Sequence, residues 1–435
     1  IYLYENAARE DKRKNLANVR SGEYEGLKKK INSKDWKPDF GKEFNKKSGA
    51  TAIGVRDFLI AYNINLNTKS TRLANAIAFD VREKGRIKRD GHPVIGEIVY
   101  DKDGNPESIP GSLKHVKAIG WYIEEFGIAQ ISMNLTNITE TPIHIVFEEV
   151  VKKANARGAS VTGSELVGLI PLKSMIDAGK YFLKKQNRSV GIPEEDIIKI
   201  AVESLGLNQV KTFDPTKNII EYYLDKITNK NGRLIDLSTR SFSDEVSRET
   251  PAPGGGSVSS YVGALGTSLA GMVANLSCNT RGWENKVEIF SEKAHEINLL
   301  REKLLSLVDE DAHSFNSIME AYKLPNDSDE NKKIRSKAIK VATLYAAQIP
   351  LNIMIESYTS YNIIEFLANE GNQNSLSDSG VACLCVHTAI HGAYLNVRIN
   401  LKDVSGGDDI MKKADKILKD SHLKKEKIMK LVEDK

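Results

Sequence analysis

The chain has little cysteine and little net charge. Three cysteines, Cys278, Cys383 and Cys385, stand among 435 residues. Two positions apart on a helix, Cys383 and Cys385 point to nearly opposite faces and are poorly placed to pair. Three scattered thiols favour a reducing compartment over a secreted disulfide scaffold, so a cytoplasmic location is expected. A formal charge of +4 is small for this length and does not suggest a nucleic-acid binder. No basic-then-apolar signal segment stands at the front, and no methionine does. The opening "IYLYENAARE" reads as a core strand rather than a frayed end, so a sheet partner upstream and a truncated chain are expected. Proline is sparse, no internal repeat is visible, and 40% of residues are hydrophobic. Together with the length, this points to a soluble globular protein of two or three domains.

One stretch lacks charge altogether. "TPAPGGGSVSSYVGALGTSLAGMVANLS", Thr250–Ser277, has no Asp, Glu, Lys or Arg in a chain that is 28% charged. A P-loop needs Lys and then Ser or Thr after its last glycine, and here Gly256 is followed by Ser257 and Val258. A dinucleotide fingerprint needs a preceding strand, but "STRSFSDEVSRE" reads as a short amphipathic helix. A membrane span of about 20 apolar residues is opposed by Ser259, Ser260, Gly263, Gly266, Thr267, Ser268, Gly271 and Asn275. A buried helix remains. Ser259, Gly263, Thr267 and Gly271 fall four apart, as do Ser260, Ala264 and Ser268, and such faces let another helix approach closely. That reading leaves the glycines unexplained, since a helix needs one cap. Consecutive glycines at a helix N-terminus leave backbone N–H groups able to meet an anion.

The two halves differ in period. Residues 1–224 alternate strand and helix signals. "RDFLIAYNINLNT" is β-like and "STRLANAIAFDVREKG" helical. "DKDGNPES" reads as a hairpin or exposed loop, and two strands flank Glu124–Gly127. "PIHIVFEEVVKKANARG" is a helix with Pro142 in its first turn and Gly158 past its end, and "SVTGSELVGLI" is a strand. Strand–helix–strand–strand–helix–strand is the ferredoxin-like split unit. Asp225–Arg233, "DKITNKNGR", is a polar linker. Beyond it helical spacing runs through Glu284–Leu324, Asn331–Asn369, Asp378–Leu401 and Asp409–Leu431. The fold expected is therefore α/β, with ferredoxin-like α+β subdomains, followed by an all-α helical bundle.

Within "LLSLVDEDAHSFNSIMEAY", Leu304, Val308, Phe315, Ile318 and Tyr322 form an inward stripe that Asp311 completes, while Asp309 points off it toward solvent. A carboxylate on a buried stripe is desolvated, which raises its pKa and suits it to proton transfer. It is equally suited to bonding another helix, and spacing leaves both open. His387 and His391, four apart, could share a face, yet no third ligand presents itself and zinc needs three or four. Packing or hydrogen bonding is expected for them, and no metal. His144 stands near a helix start, and His92, His115, His295, His313 and His422 carry no motif. The loop Gly41, Lys42, Glu43, Phe44, Asn45, Lys46, Lys47, Ser48 and Gly49 could take a flat ring with an acidic tail, although surface loops share this composition.

In order, the segments "IYLYENAARE", "GEYEGLKKKI", "WKPDFG", "SGATAIGVRDFLIAYNINL", "KAIGWYIEEFGIAQISMNLTN", "GSELVGLIPL", "IIEYYL", "APGGGSVSSYVGALGTSLAGMV", "LVDEDAHSF", "KLP", "SDSGVA" and "GAYLNVRINL" resemble the formiminotransferase-cyclodeaminase family, bifunctional folate enzymes of histidine degradation. The resemblance covers essentially the whole chain. It implies a remainder of the transferase N-terminal subdomain over residues 1–58, the transferase C-terminal subdomain over 59–224, a linker over 225–234 and a cyclodeaminase domain over 235–435. It also implies transfer of a formimino group from N-formimino-L-glutamate to tetrahydrofolate, then closure to 5,10-methenyltetrahydrofolate with loss of ammonia. The family's folate-contact segment falls on Gly41–Gly49, here one residue shorter, and its cyclodeaminase aspartate falls on Asp311. The turn Gly254, Gly255, Gly256 and Ser257 becomes the signature opening of the cyclodeaminase domain, expected near Asp311 with N–H groups facing folate. The family's transferase histidine lies upstream of "IYLYE", so the chain as it stands is expected to lack transferase activity. Folate is expected as a polyglutamylated substrate, its tail steered by the basic C-terminal helix, with no metal, no nucleic acid and no membrane span. Assembly through dimer contacts of the helical domain into a homo-oligomer is implied as well.

Overall fold

The computed structural model describes residues 1–91, 95–228, 232–402 and 404–435. His92 lies outside them, as do residues 229–231 of the expected linker. The chain divides into Ile1–Ser174 with Leu205–Ile220, and Met175–Ser204 with Glu221–Lys435.

In the first unit "IYLY" is indeed a strand, β1 (Tyr2–Glu5), and it runs parallel to β2 (Ala52–Val55). Tyr2 is buried with Val19 and with Leu27 and Ile31 of α1 (Glu23–Ile31), and Phe44 packs on that cluster. A second sheet follows from β3 (Ile60–Leu66), α2 (Thr71–Val81), β4 (Val116–Ile123), β5 (Ile128–Leu135), α3 (Ile143–Asn155) and β6 (Val161–Val167). The strand order β4–β5–β3–β6 is antiparallel throughout, which is the split unit read from the sequence. Alternation does the sorting: Ile60, Tyr62, Ile64 and Leu66 are fully buried on one face. On the same side α2 lies in contact with β4. A Cβ at Gly120 would stand 2.3 Å from the Asn75 backbone nitrogen. The Asn75 side chain uses that closeness, donating to Gly120 O at 2.9 Å and accepting from Gly120 N at 3.0 Å. Pro142 turns out to be the N-cap of α3 rather than part of its first turn. Within the hairpin or loop expected over Asp101–Ser108, Asp101 closes a turn by accepting from the backbone N–H groups of Asp103 and Asn105.

The second unit is helical. It holds most of α4 (Leu172–Lys185) and α5 (Glu194–Leu205), a short α6 (Thr239–Val246) and five long helices. These are α7 (Gly255–Cys278), α8 (Val287–Tyr322), α9 (Asp329–Glu370), α10 (Leu376–Leu401) and α11 (Asp408–Glu433). The uncharged stretch is α7, whose small residues let three helices close on it. A Cβ at Gly263 would meet Ser357 Oγ of α9 at 3.0 Å and Ala389 Cβ of α10 at 3.1 Å. Its serines reach across to α8, where Ser260 Oγ donates to Leu304 O at 2.6 Å. Inside α9, Pro350 has no N–H for the carbonyl four residues back. Asn400 of α10 fills the gap, its Nδ2 donating to Ala346 O at 2.8 Å.

By length and composition alone, α9 and the segment Gln373–Leu401 are long and apolar enough to cross a membrane. Both pack into the core of the bundle through residues such as Ile353, Met354, Val386 and Ile390. The stretch Thr250–Ser277 is not among such segments in the described residues.

Candidate active site

Asp311 lies half-buried on α8. Leu304 and Val308 of its stripe are fully buried, Phe315 and Ile318 partly. The stripe ends there, because Tyr322 is 50% exposed and Ala321 is buried in its stead. A straight helix drifts from a strict heptad by about 20° per repeat, and between Leu304 and Tyr322 the drift moves the last position off the face. Tyr322 instead carries Arg335 of α9 over its ring at 5.8 Å.

Asp309 departs from expectation more sharply. It does not point to solvent, because Oδ1 accepts the Leu234 N–H at 2.6 Å and Oδ2 is buried without a hydrogen-bond partner. The segment Leu234–Asp236 lies against that side of α8, a long-range contact that helical spacing cannot announce.

The carboxylate of Asp311 faces the first turn of α7. Ser257 Oγ lies 3.0 Å from Asp311 Oδ2 and 2.9 Å from Val308 O, so its single proton is shared between them. Gly256 is buried against the same carboxylate, and a Cβ there would stand 2.1 Å from Oδ1. Gly255 approaches Asn396 of α10, at 3.1 Å from its imagined Cβ to Nδ2. Gly254 is the N-cap, with ordinary extended backbone. Of the three glycines, Gly256 is the one required by what lies against it. Burial pushes the Asp311 carboxyl above the usual aspartate range, opposed by hydrogen bonds from the Ser257 hydroxyl and backbone. The result is a carboxyl of raised proton affinity beside a helix N-terminus. A cavity of about 590 Å³ adjoins this turn, bounded by Thr250–Pro253 and by Asp309, His313 and Asn316 of α8. Asp311 is not part of that lining.

The loop Gly41–Gly49 lies in the first unit. Asn45 Oδ1 accepts from Lys47 N at 2.9 Å and Ser48 N at 3.1 Å, Tyr24 Oη donates to Lys46 O at 2.6 Å, and the Tyr24 and Phe44 rings lie 5.5 Å apart. Gly41 and Gly49 take the left-handed conformation that a side chain would strain. The loop borders two cavities of about 290 and 330 Å³, shared with Tyr2 and Thr51. Lys42, Glu43, Lys46 and Lys47 are exposed.

Two groups escaped the sequence reading. Asn63, Asn65, Gln130 and Glu165 meet on the face of the four-stranded sheet away from α2. Gln130 Nε2 donates to Asn65 Oδ1 at 2.7 Å and Glu165 Oε2 at 3.2 Å, and Asn63 Nδ2 reaches Glu165 Oε2 at 3.3 Å. Alternate asparagines in "AYNINLN" were the available signal. The second group corrects the statement that His387 and His391 have no third companion. His422 of α11 joins them, and one ring nitrogen of each lies within 4.8 Å of the others. His387 does form the expected kind of contact, with Nδ1 3.3 Å from Tyr361 Oη. Burial, with His422, Lys425 and His391 nearby, pushes its pKa down to about 4.

Comparison with known proteins accounts for both units. The description "Formiminotransferase domain, N-terminal subdomain" matches residues 1–56, "Formiminotransferase domain" matches 61–225, and "Formiminotransferase-cyclodeaminase" matches 238–419. The chain is 38% identical to formimidoyltransferase-cyclodeaminase of Gallus gallus over 406 residues, covering 93% of this chain and 71% of that protein. It is 29% identical to methenyltetrahydrofolate cyclohydrolase of Methylorubrum extorquens over 197 residues, 45% of this chain and 95% of that protein. A crystal structure of formiminotetrahydrofolate cyclodeaminase from Thermotoga maritima aligns with a TM-score of 0.39 at 31% identity, covering 46% of this chain and 94% of that one. The chain belongs to the formimidoyltransferase-cyclodeaminase family.

Proposed function

We propose that Asp311 is the acid–base residue with which this enzyme closes 5-formiminotetrahydrofolate to 5,10-methenyltetrahydrofolate and releases ammonia. The chain is a folate-dependent one-carbon enzyme of histidine degradation, its family joining this step to transfer of the formimino group from N-formimino-L-glutamate to tetrahydrofolate. The observation that carries the assignment is a half-buried carboxyl held by Ser257 at the mouth of α7. In the reaction N10 attacks the amidine carbon, giving a tetrahedral, ring-closed intermediate. Asp311 takes the proton that N10 loses and delivers it to the departing nitrogen. The C–N bond then breaks and ammonia leaves. Such a proton shuttle contributes about 10²–10⁴ in rate.

The same reading gives the turn Gly254–Ser257 the role of a pocket wall whose first-turn N–H groups meet folate. Residues Gly41–Gly49 become the folate segment of the transferase half, with exposed Lys46 and Lys47 suited to the glutamate tail. The basic α11 would steer a polyglutamate chain between sites. Exposed apolar residues on α7 (Leu265, Met272, Leu276) and α10 (Val381, Leu395, Ile399) support a homo-oligomer built through the helical unit. Three unpaired cysteines agree with a cytoplasmic setting.

The cyclohydrolase relative favours a second reading, ring opening by hydrolysis. Supplying 5-formimino- and 5,10-methenyltetrahydrofolate separately tests both. Ammonia release with rising methenyl absorbance supports the cyclodeaminase. Ring opening alone supports the cyclohydrolase, and calorimetric folate binding without turnover supports a non-catalytic folate-binding component. Asp311→Asn should lower ammonia release by at least about 100-fold with the circular dichroism unchanged. Retained activity in that variant would sink the assignment.

A further inference from the structure

The cyclisation makes no use of the three histidines between α10 and α11. Their ring centroids lie 4.9 Å (His387–His422), 6.1 Å (His391–His422) and 6.4 Å (His387–His391) apart, with rings inclined at 65° to 89°. The rings do not stack face to face, and one nitrogen of each lies within 4.8 Å of the others. His391 and His422 are exposed, so neither is held there by core packing.

Zinc–imidazole bonds are about 2.0–2.1 Å. A point equidistant from three atoms 4.8 Å apart is about 2.8 Å from each, so shifts of under about 1 Å would bring all three into bonding range. Two surface rings can make such shifts by small χ rotations. The third is already oriented: with Nδ1 against Tyr361 Oη, His387 keeps Nε2 as the nitrogen free to bind. Metal-ligating histidines are held through their second nitrogen in the same way. The group contains imidazoles alone, a donor set that suits zinc, copper, nickel or cobalt rather than magnesium or calcium. Lys425 is the opposing charge nearby, on a flexible stem that can swing its ammonium into solvent.

We propose that His387, His391 and His422 bind one divalent first-row transition ion of the zinc class, the fourth position going to water, and that the ion clips α11 onto α10. The tag-free full chain, stripped with chelator, is titrated with Co²⁺ followed by absorption and with Zn²⁺ followed by calorimetry. One equivalent per chain is expected, with the visible bands of four-coordinate cobalt, displaced by zinc. Affinity should fall at least tenfold in both His391→Ala and His422→Ala, which replace exposed rings and leave the core intact. Zinc should slow amide exchange along α11 in the parent chain and not in the variants. Absence of stoichiometric uptake, uptake unchanged in both variants, or uptake without protection of α11 would each overturn the proposal.

Discussion

Gly256 of α7 lies so close to Asp311 of α8 that a methyl group placed on it would stand 2.1 Å from Oδ1 and 2.5 Å from Cγ of the carboxylate. No contact of that kind is tolerated, and the obstacle is the group to which the chemistry is assigned. The glycine therefore keeps the carboxyl in place as much as it shapes the turn.

Gly256→Ala should consequently displace Asp311. We expect a stability loss of about 1–3 kcal/mol and a fall in ammonia release of at least about tenfold. Gly271→Ala, on the same helix, is the matched control. Its new methyl would meet Ile297 at an ordinary 3.5 Å, and replacing a mid-helix glycine should stabilise by about 0.4–1 kcal/mol. Urea unfolding and turnover of the two variants measure both effects, and equal behaviour would contradict the packing argument.

The pH dependence has a defined sign. Burial raises the folded-state pKa of Asp311, so the folded chain holds this proton more tightly than the unfolded chain does. The resulting stability is fully present below the unfolded value of about 3.9 and is lost as pH rises through the folded value. The side-chain amide of the Asp311→Asn variant does not titrate and has no such dependence. The stability of Asp311→Asn relative to the parent should therefore rise from about pH 4 upward and then level off. Paired unfolding curves across pH check this. A difference of opposite slope would mean that Ser257 and the helix terminus outweigh burial.

Local pattern made much of this legible. The period-2 runs of the first unit and the apolar spacing of the second gave the split unit and the bundle. The four-apart small residues gave α7 its buried surface. What stayed hidden depends on contacts distant in sequence. Asp309 Oδ1 accepts from Leu234, 75 positions away, and His422 comes to the histidine pair from another helix. Nothing in the spacing of either residue signals its partner. Three glycines are more than one cap needs, and only the neighbour Asp311 explains why Gly256 is among them.

The polar face of the four-stranded sheet offers a separate test. Glu165 Oε2 accepts from Gln130 at 3.2 Å and Asn63 at 3.3 Å, and both donors are buried. Glu165→Ala should leave two amides poorly satisfied and cost about 1–3 kcal/mol. Glu165→Gln keeps an acceptor oxygen and should cost less than half as much. Chemical denaturation of both variants checks the order, and a reversed order would mean that the carboxylate is tolerated rather than needed.

The last prediction couples two residues of the bundle. Pro350 deprives Ala346 O of its helical donor, and Asn400 Nδ2 supplies the replacement at 2.8 Å. Asn400→Ala should thus cost about 1–2 kcal/mol, the price of a carbonyl left without a partner in a packed helix. In a chain already carrying Pro350→Ala, the restored N–H can satisfy Ala346 within α9. The same Asn400→Ala change should then cost less than about 0.5 kcal/mol, since its carbonyl partner no longer depends on it. Four unfolding free energies close the cycle, and a coupling energy indistinguishable from zero would show that the Asn400 contact is incidental. A coupling of about 1 kcal/mol would show that one helix's proline and its neighbour's asparagine act as a single packing device.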